Sequence, residues 1–248
     1  MIRAVVFDYF GTLTPTILTM VTAEEQAGVG QALGVDPSAL EQLWRASFAD
    51  RATGRTGGPR ATLRMLATRL ADEPGKAGLD TAVRLRGAAF LRSAQPRPEA
   101  VDVLARLRAD GLRLAVVSDC SLELVEIWPQ LPLADAVDAT VFSALVGRRK
   151  PDPLLYRLAC ERLDVAPEEC LYVGDGGSGE LTGAAAMGMR PVLLADETWH
   201  TGHRYDQDDW QGEVVHRLDD VPALLGVQTS SVTVQTSSVT VLTEGAAR

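Results

Sequence analysis

Residues 5–14 read VVFDYFGTLT: an apolar run, one acid at Asp8, an aromatic pair at Tyr9 and Phe10, then a tight Gly11-Thr12 turn. With Ala4 in front, AVVF is continuously apolar, as a strand buried on both faces of a parallel sheet must be. A carboxylate closing such a strand stands at its carboxyl end, where ligands bind in open α/β sheets. Further along, LRLAVVS, ATVFS, CLYVGD and RPVLLAD read as strands. Helices alternate with them, such as DPLLYRLACERL with an apolar stripe of Leu154, Leu155, Leu158 and Ala159. The segment QPRPEAVDVLARLRADG opens a helix near Pro98 that turns Val101, Leu104 and Leu107 to one side. This rhythm predicts the α/β class, with a doubly wound parallel sheet.

From about residue 15 to 95 no comparable strand occurs. Ala, Leu, Arg and Glu recur there at helical spacing, punctuated by TGGPR and DEPGKAG, which predicts three to five helices in a separate lobe. The expected organisation is therefore a core of residues 1–14 and 96–227, a helical lobe 15–95, and a tail 228–248. In that tail QTSSVTV occurs twice, at 228–234 and 235–241. Alternating Thr and Val favour extended structure, so a hairpin, an edge strand, a homodimer contact and a disordered tail are all open to it.

The 248 residues are enough for one α/β core plus an inserted lobe, and 46% hydrophobic content with 23% charged is ordinary for a packed globular chain. A net charge of −9 argues against nucleic acid and against an anionic membrane surface as partners. Cys120, Cys160 and Cys170 are an odd number without metal-ligand spacing. They fit a reducing cytosol better than an exported disulfide scaffold. No segment reaches the roughly 20 apolar residues a membrane span needs, and no leader pattern is legible. The expected location is cytoplasmic.

Four strand ends present reactive groups: Asp8, Ser118, Lys150 in the loop after ATVFSALVGRR, and Asp175. Parallel strands put their carboxyl ends on one rim, so these groups can converge. One aspartate can attack, and a hydroxyl and a lysine can hold an anion. A second aspartate can complete an oxygen cage for a hard cation such as Mg²⁺. The cation and the lysine would also keep Asp8 ionised. That inventory suits phosphoryl transfer on a small-molecule substrate.

The order D-x-F-G-T-L, a strand ending in Ser118, then R-K-P-D-P, then V-G-D-G-G-S-G-E resembles the haloacid dehalogenase-like (HAD) hydrolase superfamily, subfamily I. The resemblance spans residues 1–14 and 97–196. It implies a HAD-like Rossmannoid core with the helical lobe as an inserted cap that excludes water and sets specificity. It implies that Asp8 is the nucleophile, forming an aspartyl-phosphate, and that Ser118 and Lys150 bind the transferring group. By the same resemblance Asp175 binds Mg²⁺, directly or through water. Glu180, at the second acidic position of that motif, is a further metal-ligand candidate beside Asp8, and Phe10 lends its backbone carbonyl to the metal. Phe10 and Thr12, in the first motif, then border the substrate.

One residue departs from the pattern. Phosphatases of the family carry a second aspartate where this chain has Phe10, and general acid–base help of that kind is worth roughly 10²–10⁴ in rate. Three readings follow. A phosphatase can act on good leaving groups or draw a proton from Tyr9 or from the cap. A metal-independent 2-haloacid dehalogenase needs no acid, and an aromatic residue is common there at this position. A catalytically impaired binding protein is the third. Dehalogenases typically carry Ser-Ser-Asn where this chain has Gly174-Asp175-Gly176, so retention of Asp175 and Glu180 favours the phosphatase.

Blander readings stand beside these. Asp8 alone would pass for a turn or helix-capping acid, and Ser118 alone for a turn residue. Gly174, Gly176 and Gly179 spell G-x-G-x-x-G, with Asp196 at the end of the next strand, which on paper is a dinucleotide fingerprint. Against it, Asp175 would face the pyrophosphate. Arg51, Arg55 and Arg60 lie in DRATGRTGGPR. Arg51 and Arg55 are the candidates to clamp an anionic substrate, although solvated arginines are the commoner outcome. His200 and His203 read as plain loop residues, since no third ligand lies at fixed spacing.

Overall fold

The computed structural model describes residues 1–15, 22–196 and 208–227. His200, His203 and the duplicated tail lie outside them. The strands β1 (Ala4–Phe7), β2 (Arg113–Ser118), β3 (Ala139–Phe142), β4 (Cys170–Gly174), β5 (Arg190–Leu194) and β6 (Glu213–Val215) form one sheet in the order β3-β2-β1-β4-β5-β6. Every neighbouring pair is parallel. This is the doubly wound sheet the alternation predicts. Strand β6 is the addition: three residues are too few to print a period.

Alternate residues of each strand feed opposite faces. Val5, Phe7, Leu114, Val116, Leu171 and Val173 enter one apolar cluster. Ala4, Val6, Ala115, Val117, Cys170 and Tyr172 enter the other. Helices cover both faces, which is why the strands read as unbroken apolar runs. On the first face α6 (Ala100–Ala109) buries Ala100, Val103, Leu104 and Leu107. Val101, expected on that face, is exposed: the buried face is centred on Ala100, Val103, Leu104 and Leu107, and Val101 lies about 100° around the helix from Ala100. On the second face α9 (Pro153–Leu163), which follows the short α8 (Ser143–Val146), buries Leu155, Tyr156, Ala159, Cys160 and Leu163. The predicted stripe is thus rotated by one residue, with Leu154 and Leu158 at its margin.

Residues 22–93 carry five helices and no strand: α1 (Ala23–Leu33), α2 (Pro37–Ala46), α3 (Phe48–Ala52), α4 (Pro59–Thr68) and α5 (Lys76–Ser93). Thr22 begins α1 with a capping box closed by Glu25, and Asp36 caps α2 ahead of Pro37. These helices bury their own core of Val29, Leu33, Leu40, Trp44, Leu63, Leu66 and Leu79. The lobe meets the sheet domain through paired groups. Phe90 of α5 packs edge-on to Phe10 at 6.0 Å. Arg86 of α5 pairs at 2.9 Å with Glu123 of α7 (Leu122–Ile127), both buried.

Candidate active site

Strand β1 lies between β2 and β4, at the point where the chain turns from one half of the sheet to the other. Phe7 stands level with Val116 on one side and Val173 on the other. Asp8, Ser118 and Asp175 therefore leave the sheet within one residue of the same level. The Asp8 N–H donates to Val173 O at 2.9 Å, which holds its backbone on the ladder. Asp8 continues the parity of Val6, whose partner across the ladder is Tyr172. Its side chain is accordingly sent to the face that α9 and α10 (Glu180–Ala186) cover.

Lys150 comes from that face. Its ammonium donates to Asp8 Oδ1 at 2.5 Å and to Glu180 Oε2 at 2.5 Å, with Tyr172 Oη at 3.5 Å. The stretch RKPDP aims it there: Asp152 accepts from Leu154 N at 3.0 Å and Pro153 opens α9, so the preceding residues must turn inward. Asp119 completes the turn. Its carboxylate accepts from Lys150 N at 2.9 Å and from Arg149 Nε at 3.3 Å, a role the sequence did not disclose.

Glu180 is fully buried and engaged on all sides. Gly176 N donates to its Oε1 at 3.0 Å, and Tyr172 Oη donates to its Oε2 at 2.9 Å. Gly177 N donates to Asp175 Oδ1 at 3.0 Å. Two glycines make this density feasible. A Cβ on Gly174 would collide with the Glu180 carboxylate. Gly11, at φ +85°, would place one 2.5 Å from Asp175 Oδ2.

One oxygen each from Asp8, Asp175 and Glu180 fall within 4.8 Å of one another. Three carboxylates with one ammonium between them set the electrostatics. Burial alone would strip the proton from Lys150, but Asp8, Glu180 and Asp119 outweigh it and hold the ammonium well above its ordinary range. Burial, opposed by Lys150 and reinforced by Asp8 and Asp175, pushes the Glu180 carboxyl up to about 8. The Arg97 guanidinium also feels Asp175, and the donors of the trio are all oxygen. The trio fits a hard divalent cation.

Two hydroxyls lie at the same strand ends, Thr12 in the turn after β1 and Ser118 closing β2. Thr12 Oγ1 and Ser118 Oγ are buried without a hydrogen-bond partner among the described residues. Burial and Asp119 raise the Cys120 thiol, and the neighbouring Ser118 hydroxyl acts against that rise. An unpaired buried hydroxyl costs about 1–3 kcal/mol, which an incoming oxyanion would relieve.

Phe10 is 9% exposed and packs against Tyr9 at 5.0 Å as well as Phe90. It is an apolar wall where the family's acid would stand. Tyr9 does not replace that acid. Its hydroxyl donates to Ala94 O at 2.5 Å, and burial drives its pKa up.

The structure brings Asp8, Ser118, Lys150, Asp175 and Glu180 to one rim but engages the candidate clamps elsewhere. Arg51 is buried and stacks on Trp44 at 4.2 Å while donating to Ser47 Oγ and Trp44 O, both at 3.1 Å. Arg55 is exposed and pairs with Asp50 at 2.6 Å. The dinucleotide reading fails on contacts: the loop N–H groups of Gly176 and Gly177 serve Glu180 and Asp175, and Asp196 pairs with Arg97 at 2.7 Å. Tyr172 and Arg97 escaped the sequence reading. A hydroxyl inside an aliphatic strand and an arginine between Pro96 and Pro98 were the signals available.

Sheet order, rim and convergent groups together define a Rossmannoid α/β fold with a helical lobe inserted between β1 and β2. The chain belongs to the haloacid dehalogenase-like hydrolases, whose family model matches residues 2–188. Phosphatase MT3486 of Mycobacterium tuberculosis is 34% identical over 78% of this chain and 87% of its own length. (S)-2-haloacid dehalogenase 1 of a Pseudomonas species is 32% identical over 78% of this chain and 84% of its own. Among solved structures, 2-haloacid dehalogenase from Pseudomonas syringae superposes with a TM-score of 0.66, covering 91% of this chain and 99% of that one, at 23% identity. Both activities thus occur among the relatives at similar distance.

Proposed function

We propose that the chain is a phosphatase of small phosphorylated metabolites that uses Mg²⁺ and works through an aspartyl-phosphate on Asp8. The carrying observation is the buried trio Asp8, Asp175 and Glu180 with oxygens within 4.8 Å, opposed by one lysine. A displacement of halide from carbon by Asp8 has no use for Asp175 and Glu180. A phosphoryl transfer uses both, one beside the nucleophile and one behind Lys150.

Asp8 and Asp175 are the residues that would hold the ion, with the Phe10 carbonyl as the family resemblance suggests. Glu180, already bound through both oxygens, secures Lys150. When bound, Mg²⁺ supplies positive charge that offsets the repulsion between carboxylates and phosphate. Lys150 holds Asp8 Oδ1, so the other oxygen is the one presented for attack. The Lys150 ammonium and the Ser118 and Thr12 hydroxyls can donate to the phosphoryl oxygens as charge develops there. Phe10 offers no proton to the departing oxygen. The favoured substrates are therefore phosphates whose leaving group departs as a stable anion.

The dehalogenase reading has one observation in its favour, the aromatic wall at Phe10. The test takes both. Phosphate release from p-nitrophenyl phosphate is measured with Mg²⁺, with chelator, and in Asp8→Asn, beside halide release from 2-chloropropionate. We expect phosphate release that Mg²⁺ supports and that Asp8→Asn abolishes. Release that survives chelation, or halide release without metal, overturns the proposal.

A further inference from the structure

Among the described residues Arg97 is the largest side chain with no exposure at all. It lies where the chain returns from the helical lobe, between Pro96 and Pro98, and the latter disfavours the helical region for Arg97 and so favours an extended backbone there. A guanidinium so deeply buried is costly unless every face of it is satisfied. Its Nη1 donates to Asp196 Oδ2 at 2.7 Å, beyond the end of β5. An ion pair would need no more than that.

The other donors go to the catalytic loop. Nη2 donates to Gly11 O at 2.7 Å and Nε to Thr14 O at 3.3 Å, while the Arg97 backbone N–H donates to Leu13 O at 2.8 Å. Three carbonyls of the turn that follows Asp8 are thus gripped by one residue from a distant part of the chain. Within the turn the N–H groups of Leu13 and Thr14 both converge on Tyr9 O, at 2.9 and 3.0 Å, and Thr14 Oγ1 meets Gly11 N and Tyr9 O at 3.4 Å each, so the carbonyls of Gly11, Leu13 and Thr14 are left for Arg97. Gly11 also presses against Asp175, so a shift of this turn disturbs both the nucleophile's neighbours and the second aspartate.

We propose that Arg97, oriented by Asp196, is a positioning residue that sets the geometry of the 8–14 loop, and with it the aim of Asp8 against Asp175. The planar fork is what the role requires, because a lysine cannot span Asp196 and two carbonyls at once. The inference rests on Asp8 being the nucleophile, so the experiment has an arm that does not depend on turnover.

Arg97→Met, Arg97→Lys and Asp196→Asn are compared with the unaltered protein. Hydrogen exchange at the Leu13 and Thr14 amides is read by mass spectrometry on peptides covering residues 9–14. Kinetics follow p-nitrophenyl phosphate with Mg²⁺. Loss of Arg97 should raise exchange in that peptide while the peptides of β2 and β4 stay protected. It should lower kcat by about 10²-fold, the penalty of a roughly 1 Å misplacement, with KM little changed. Arg97→Lys should recover part of the rate. If Arg97→Met does not fold, Arg97→Lys and Asp196→Asn carry the same comparison. Unaltered exchange at Leu13 and Thr14 in a folded variant overturns the proposal. So does a raised KM at constant kcat, which would mark a substrate contact. If the unaltered protein releases no phosphate, the phosphatase reading fails and the exchange arm alone decides the role of Arg97.

Discussion

At the scale of single residues the decisive group is Lys150, a cation without solvent that touches Asp8, Glu180 and Tyr172 at once. Removing one partner of a buried pair is strongly destabilising because the other charge is left uncompensated. In Lys150→Met three carboxylates would face one another with no ammonium between them. We expect a loss of about 3–5 kcal/mol, measured by urea denaturation without added metal. A loss below 1 kcal/mol would mean that the carboxylates are not held together by the lysine. The convergence of Asp8, Ser118, Lys150 and Asp175 was legible in the sequence from their order as a set at the ends of parallel strands, each alone being a weak signal. Asp119, Tyr172 and Arg97 were not, because a residue whose work is to hold another residue leaves no local pattern.

Among elements, the junction between α5 and α7 bears most on function. Arg86 stacks over Trp44 at 3.3 Å and pairs with Glu123, to which Ser121 Oγ also donates at 3.1 Å. Helix α5 also carries Phe90 onto Phe10. One helix of the lobe thus touches the wall of the site and is fastened to the core by a buried pair. Arg86→Met should cost about 3 kcal/mol, since it leaves Glu123 buried with only a serine for company. It should also speed nicking in the two connections between lobe and core, monitored by limited proteolysis in native buffer. A variant as stable and as resistant as the unaltered protein would show that the pair does not fasten the lobe. The sequence predicted a helical lobe here because helical spacing is local. It could not show that Arg51 faces inward while Arg55 does not, since that depends on which helix packs where.

Across the whole molecule the gathering of three buried carboxylates at the rim makes two predictions. Mg²⁺ should stabilise the native state by mass action, by about 2.7 kcal/mol at a hundred times Kd. Asp175→Asn should remove most of that gain in thermal unfolding with and without the ion. An equal shift in the variant would place the ion elsewhere. With Phe10 in place of an acid, aryl and acyl phosphates should be turned over faster than alkyl phosphates by about 10²-fold or more, compared as kcat/KM. Equal rates would show that another group supplies the proton. The described residues include no helix long and apolar enough to cross a membrane. The sequence by itself determined the parallel α/β sheet, the helical lobe and the strand-end reactive groups, because periodicity and strand-end chemistry are properties of neighbouring residues. Only the tertiary structure decided that Glu180 backs Lys150, that Tyr9 is tied to Ala94, that Phe10 is a wall beneath Phe90, and that Arg97 clasps the turn after Asp8. Those contacts join residues far apart in the chain, and their partners are chosen by packing rather than by spacing.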